Sequence, residues 1–131
     1  MSRAARSILV FGVYIVILGL LLVALPNVVL GQFGFPDARE PWIRVLGVVV
    51  VVLGLYYVQA ARQEVVAFFR WTIWGRTGIL AGFVMLVLAG LAKPALILFG
   101  AVDAAGAAWT ALELRSSRAA NERSGVNTSS R

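Results

Sequence analysis

Asp103 is the residue of this sequence whose surroundings are least usual for its chemistry. It lies nine residues into a predicted membrane span that runs from Ala95 to Leu114. An acidic side chain near the bilayer midplane costs about 2.5–3.5 kcal/mol on insertion scales, so we expect it to face neighbouring helices and not lipid. On an α-helix it shares a face with small residues and with Thr110. Two interpretations follow: a proton-relay, ion or polar-ligand site, or a hydrogen-bonded carboxyl that fixes this helix to its neighbours.

The other polar side chains within the apolar runs are the candidate partners of Asp103. Arg44 stands near the outer end of its run and can reach inward, whereas four more candidates lie in the inner half of the membrane: Tyr14, Tyr56, Tyr57 and Gln59. These four either form a polar pocket below Asp103 or, in the case of the tyrosines, anchor the helices at the membrane interface. Together with Thr110 they make up one candidate polar site inside the membrane.

Several kinds of chemistry are excluded by residue types that the sequence lacks. It has no Cys and no His, so disulfides, imidazole-ligated haem and the usual zinc sites lack their ligand atoms. It contains no P-loop, no serine nucleophile elbow, no HExxH motif and no pair of intramembrane carboxylates. We therefore predict no metal, no cofactor and no catalytic residue.

The composition is that of a membrane protein. Of the 131 residues, 60% are hydrophobic and only 14% are charged, and the mean hydropathy is +0.87. A soluble domain has about a quarter of its residues charged. The net charge of +6 is explained by the accumulation of basic residues on the cytoplasmic side of membrane proteins, where they attract anionic lipids. We therefore expect the lipid bilayer as a partner and no nucleic acid.

Four apolar runs of membrane-spanning length predict an all-α membrane protein, an antiparallel bundle of four transmembrane helices within residues 1–115. The spans are expected at about residues 8–25, 42–61, 73–92 and 95–114. Only Lys93 and Pro94 separate the last two, which requires a helical hairpin. The first run resembles a signal peptide, but it exceeds the usual h-region and lacks a good cleavage site, so we predict that it is kept.

The distribution of basic residues predicts the orientation. Nine Arg residues fall on the side of both termini, against Arg39, Arg44 and Lys93 on the other side. Because positive residues accumulate on the cytoplasmic side, both termini are expected in the cytoplasm of a bacterium, with the bundle in its inner membrane. The tail at residues 116–131, rich in Ser, Asn and Arg, is expected to be disordered and basic.

Small residues repeat every seven positions and are expected to mark the contacts between helices. The repeating positions are Gly12 and Gly19, Gly47 and Gly54, Gly75 and Gly82, and Gly100 and Ala107. In lipid, such residues let two helix backbones approach closely. Gly78 and Gly82 also form a GxxxG pair, which serves either a homodimer face or packing within the bundle.

The segment from Arg62 to Arg76 is predicted to be an inner loop at the level of the lipid headgroups. Aromatic and basic side chains alternate in it, as is typical of interfacial segments. With Trp42 at the opposite surface, the predicted interfacial anchors are Arg62, Phe68, Phe69, Arg70, Trp71, Trp74 and Arg76.

Four short spans, cytoplasmic termini, a tight outer hairpin and a large basic inner loop resemble the DoxX-like group of small bacterial membrane proteins, including its BphX-like branch. The resemblance concerns the architecture of residues 8–115 and carries over no functional residue. It implies a non-catalytic accessory or anchoring subunit of a membrane complex, in some cases one associated with an oxidoreductase. The alternatives are a small oligomeric transporter or channel that uses Asp103, and a membrane protein that binds lipid or another hydrophobe. Other membrane subunits or a second copy of the chain are the expected protein partners.

Overall fold

Five helices make up the fold in the computed structural model, which describes residues 1–128 and places side chains as far as Arg123. They are α1 (Arg3–Ala24), α2 (Pro26–Gln32), α3 (Trp42–Arg62), α4 (Val66–Leu88) and α5 (Leu96–Thr128). The helices α1, α3, α4 and α5 are long and apolar enough to cross a membrane. This confirms the predicted all-α class and its four helices of membrane-spanning length.

The helix ends follow from local sequence signals. Ser2 caps α1, because its Oγ accepts a hydrogen bond from the Ala5 backbone N–H at 3.1 Å. Pro26 cannot continue α1 and instead occupies the first position of α2. Gly90 has a φ of +73°, the left-handed conformation that closes a helix, and so α4 ends at Leu88 and not at residue 92 as predicted.

The start of α4 is the largest departure from the predicted spans. The expected inner loop from Arg62 to Arg76 is reduced to residues 63–65, and α4 begins at Val66 and not at 73. A turn of three residues suffices here because Glu64 adopts a positive φ of 51°. The charges of Arg70 and Arg76 lower the local hydropathy, which is why this part of the helix is indistinguishable from a loop in the sequence.

Two segments outside the four predicted spans are helical. The segment between the first two spans, residues 26–41, contains α2, and α5 continues beyond residue 115 to Thr128, where a disordered tail was expected; residues 129–131 lie outside the described residues. An existing helix extends without a new nucleation step, and Ala, Glu and Arg favour its continuation. The helix α5 has 33 residues and thus a length of about 50 Å, so it exceeds the thickness of a bilayer.

Glycine contacts hold α1 against α3. A Cβ atom added to Gly12 would lie 2.9 Å from Tyr57 Cβ, and one added to Gly54 would lie 3.0 Å from the Gly12 carbonyl oxygen. At the other end, a Cβ on Gly19 would lie 2.8 Å from the Gly47 carbonyl oxygen. The two backbones are therefore in direct contact at both glycine pairs, in agreement with the packing role predicted for them.

The small residues of α4 and α5 behave differently from one another. On α5, Ala107 is buried, and a Cβ on Gly100 would lie 3.0 Å from the Leu80 Cα of α4. On α4, neither Gly75 nor Gly82 has an atom of the described chain beyond the adjoining backbone of α4 itself within 4 Å of such a Cβ, and the same holds for Gly78. The predicted seam on α4 therefore faces away from the bundle, because the helix buries Phe69, Thr72 and Arg76 instead.

Candidate functional site

The bundle has two recognisable ends that are useful for locating the site. At the terminal end, the Ser2 backbone N–H donates to Glu64 Oε1 at 2.8 Å, joining the N-terminus to the turn between α3 and α4. At the loop end, Lys93 Nζ donates to the Gly34 carbonyl at 2.6 Å, joining the link between α4 and α5 to the segment that follows α2.

A cavity of about 460 Å³ lies between the helices. It exists because α1 packs closely on α3, and α4 on α5, whereas α3 and α4 hardly touch. These two helices meet near the terminal end, where the rings of Tyr57 and Phe68 pack edge to face at 5.2 Å. Farther along, Val50 of α3 and Phe83 of α4 face the cavity. Its volume falls in the range of about 300–1,000 Å³ that is typical of small-molecule sites.

The cavity is apolar along most of its length and polar in one place. Its walls are made by aliphatic and aromatic side chains from all five helices and from the segment after α2. The charged and hydroxyl-bearing residues of the wall come from four different helices: Tyr14, Tyr57, Arg76 and Asp103. We call these four residues the polar cluster. An apolar site with a few convergent polar groups is the usual form of a ligand pocket.

Arg76 is the residue of the polar cluster with the most unusual environment. It is only 1% exposed, and its Nε, Nη1 and Nη2 atoms find no hydrogen-bond partner among the described residues. Its Cζ lies 3.4 Å from the ring centroid of Phe11 and 5.1 Å from that of Tyr57. The two rings provide cation–π attraction, but they accept none of its hydrogen bonds in the plane of the guanidinium.

Asp103 does not neutralise Arg76 by direct contact. Within the described part of the chain the one ion pair shorter than 4.0 Å joins the N-terminal amino group to Glu64, at 3.4 Å. Both charged groups therefore line the same cavity without a direct salt bridge between them. Burying a charge without a directly contacting partner costs several kcal/mol even after relaxation, so a group that accepts hydrogen bonds from Arg76 at this end of the cavity would be stabilising.

The loop end of the cavity is covered by α2 and the residues after it. Phe33 packs on Phe99 of α5 with ring centroids 4.2 Å apart. The segment is held in place by the Ala38 backbone N–H, which donates to Asn27 Oδ1 at 2.9 Å, and by the bond from Lys93 to Gly34. This cover was not expected from the sequence, although its aromatic residues are visible there.

The predicted polar site is assembled only in part. Tyr14, Tyr57 and Asp103 line the cavity together, as the pocket interpretation requires. The others lie elsewhere: Tyr56 is 63% exposed, Gln59 is exposed, and Arg44 donates through Nη1 to the Val23 carbonyl. Thr110 is fully buried in the contact between α1 and α5, where its hydroxyl lies 3.0 Å from that of Ser7.

The predicted interfacial anchors divide in a similar way. Those with exposed side chains, as an anchor needs, are Trp42, Arg62, Arg70, Trp71 and Trp74. Phe69 is fully buried, and Phe68 packs on Tyr57. Arg76 differs most from the expectation, since it lies about 15 Å along α4 from Val66 and forms part of the site. Its interval of six from Arg70 was the available signal, because it puts the two side chains on different faces of one helix.

No family model, curated protein or solved structure matches the chain.

Proposed function

We propose that the protein binds a hydrophobic molecule with a small polar end inside the membrane. The observation that carries this proposal is the apolar cavity with the buried, unpartnered guanidinium of Arg76 in its wall. An empty apolar cavity forfeits packing contacts, and an unpartnered buried cation costs still more. One amphipathic ligand would remedy both at once.

The narrow contact between α3 and α4 gives such a ligand a route from the bilayer. Leu46 and Leu53 of α3 line the cavity and yet are 49% and 41% exposed. A molecule already dissolved in the lipid would enter sideways between the two helices and avoid passage through water. This supports binding of a hydrophobe over passage of an ion, because outside the polar cluster the cavity wall offers no groups that could replace the hydration shell of an ion.

A pair of adjacent valines tests the proposal. Val50 lines the cavity, whereas Val49 is 58% exposed and is not part of its wall. Val50→Trp should fill the cavity and abolish binding of a neutral apolar probe, such as methyl palmitate, measured by native mass spectrometry of the purified protein in mild detergent. Val49→Trp, the matched control, should bind like the wild type. Equal binding by both variants would show that the probe does not occupy the cavity.

A second candidate function is that of a non-catalytic accessory subunit of a bacterial membrane complex, such as one that contains an oxidoreductase. It is favoured by the outward face of α4, where Gly75, Gly78 and Gly82 have no neighbour in the described chain. Such a surface admits the backbone of another helix. Gly78→Leu should release a partner subunit from the complex purified in mild detergent, and Ile79→Leu, at the neighbouring position, should retain it. Retention in both would argue against this face.

We further propose that the bundle is antiparallel, with both termini in the cytoplasm of a bacterial cell. The contacts support the first part: Gly12 meets Gly54, and Gly19 meets Gly47. The second part rests on the excess of Arg on the side of the termini. A single Cys introduced in place of Asp37 should react with an impermeant thiol reagent in intact cells, while one in place of Ser129 should not. The reverse pattern would invert the topology.

A further inference from the structure

We propose that the polar end of the ligand is a carboxyl group, so that the protein is a site for one long-chain carboxylic acid. This inference rests on the proposed function and specifies its ligand. The carboxyl group would meet Arg76 and Asp103, and the chain would run through the apolar part of the cavity.

The geometry of the Arg76 guanidinium indicates which polar group of a ligand would bind it. Arg76 has five N–H bonds, all without acceptor among the described residues, and Phe11 covers one face of the guanidinium. An acceptor must therefore approach in the plane of the guanidinium. A carboxylate does this with two oxygens, which match two parallel N–H bonds of the arginine fork. Because the three nitrogens are sealed from solvent, a shift of the neighbouring ring of Phe11 or Tyr57 has to accompany binding.

The charge of the cluster favours a monocarboxylic acid over a phosphate ester. The groups that face the site are Tyr14 of α1, Tyr57 of α3, Arg76 of α4 and Asp103 of α5. With one cation and one carboxyl already present, a carboxylic acid brings the site to zero net charge if a single proton is held between the ligand and Asp103. A phosphate would add one or two negative charges that no second cation balances.

The shape of the cavity favours a single chain. Along α3 it extends from Ile43 to Tyr57, a distance of about 21 Å at 1.5 Å per residue. Arg76 is about 15 Å along α4 from its start and about 18 Å from its end, so the head-group contact is set back from both ends of this helix. A phospholipid would have to draw its headgroup and glycerol from the interface to this depth, whereas a fatty acid brings only its carboxyl group.

Three ligands with the same hydrocarbon chain test the head group in the full-length protein. Palmitic acid, methyl palmitate and hexadecylamine are offered at equal concentration, and bound ligand is counted by native mass spectrometry. A charge-assisted hydrogen bond contributes about 1.5–3 kcal/mol, so the acid should bind at least about tenfold better than the ester. Arg76→Gln should reduce this preference to about one while retaining the ester. Arg70→Gln, an exposed arginine on the same helix, should leave it unchanged.

The outcomes separate this inference from the proposed function. Equal binding of acid and ester would overturn the carboxyl assignment and leave hydrophobe binding intact. A preference for the amine would assign the head-group contact to Asp103 and also overturn it. Binding of none of the three would remove the proposed function itself. Arg76→Lys is the control for a variant that fails to fold, because it keeps the positive charge and removes the two parallel N–H donors of the guanidinium. If this variant binds neither the ester nor the acid, Arg76 acts on the fold alone.

Discussion

The contact between α1 and α3 allows a quantitative prediction for Gly54. A Cβ atom at this position would lie 2.7 Å from Val16 Cγ2, 2.9 Å from the Val16 backbone N and 3.0 Å from the Gly12 carbonyl oxygen. The side-chain contact can relax by rotation, but the two backbone contacts cannot. To bring them to an ordinary separation of 3.4 Å, the helices must part by about half an ångström.

The matched control for Gly54→Ala is Gly82→Ala. Both glycines lie in helix interiors, so the intrinsic gain of about 1 kcal/mol from replacing Gly with Ala applies to both. A Cβ on Gly82 meets no atom of the described chain beyond the adjoining backbone of α4 itself within 4 Å. Overpacking costs typically about 1–3 kcal/mol, and we expect the free energy of unfolding of Gly54→Ala to lie below that of Gly82→Ala by this amount.

The assay is equilibrium unfolding of the purified monomer in mixed micelles with rising detergent denaturant, followed by circular dichroism. The difference between the two variants matters more than either shift from the wild type, because helix propensity in lipid differs from its value in water. Equal free energies for the two variants would refute the close contact of α1 with α3. A less stable Gly82→Ala monomer would show that the outward face of α4 packs within the bundle after all.

Three further predictions concern the polar residues. Ser7→Ala should lower the free energy of unfolding by about 0.6–1.7 kcal/mol, because its hydroxyl bonds Thr110 and the Ala4 carbonyl; the loss should be smaller in a Thr110→Val background, where only the bond to Ala4 remains to be removed, and an undiminished loss would contradict the contact with Thr110. Arg76→Met should raise the stability of the ligand-free protein in thermal unfolding, since it removes a buried charge whose desolvation costs several kcal/mol and loses cation–π contacts worth only about 0.5–2 kcal/mol; a less stable variant would mean that the guanidinium is satisfied. Asp103→Asn should tighten palmitate binding and leave methyl palmitate unaffected, because no proton is then needed between two carboxyl groups; weaker palmitate binding would show that the shared proton stabilises the bound acid more than the charge of Asp103 opposes it.

The parts of the fold that were predictable from the sequence are those set by one helix at a time. A run of apolar residues long enough to cross a bilayer must be helical, because lipid offers no hydrogen bonds to an open strand. The glycine repeats of α1 and α3 were also informative. On a lipid-facing surface Ala would stabilise the helix more than Gly does, so Gly12 and Gly54 indicate a close contact between helices. Asp103 was recognisable as a site residue for the same reason, as a charge that lipid would not tolerate.

The remaining features depend on how the helices are arranged and were therefore hidden. Gly75 and Gly82 follow the same repeat as the glycines of α1, yet they face outward, because the orientation of α4 is decided by the burial of Phe69 and Arg76. By residue type Arg76 is indistinguishable from the other arginines predicted to lie in the cytoplasm, and the hydropathy of its segment does not indicate that it lies inside a span. Its interval of six residues from Arg70 indicates a different face of the helix, but its position between Phe11 and Tyr57 emerges only from the structure.

Tight packing in one half of the bundle and the cavity in the other have a common origin. Glycines bring α1 and α3 into backbone contact, and the short turn at residues 63–65 then fixes where α4 starts. From that turn α4 packs mainly on α5 and meets α3 only near the terminal end, so the aromatic and aliphatic side chains between α3 and α4 do not close the gap. A charged residue placed in such a gap is destabilising to the empty protein and useful only when something occupies the space beside it. The position of Arg76 therefore supports the proposal that a ligand occupies the cavity when the protein functions.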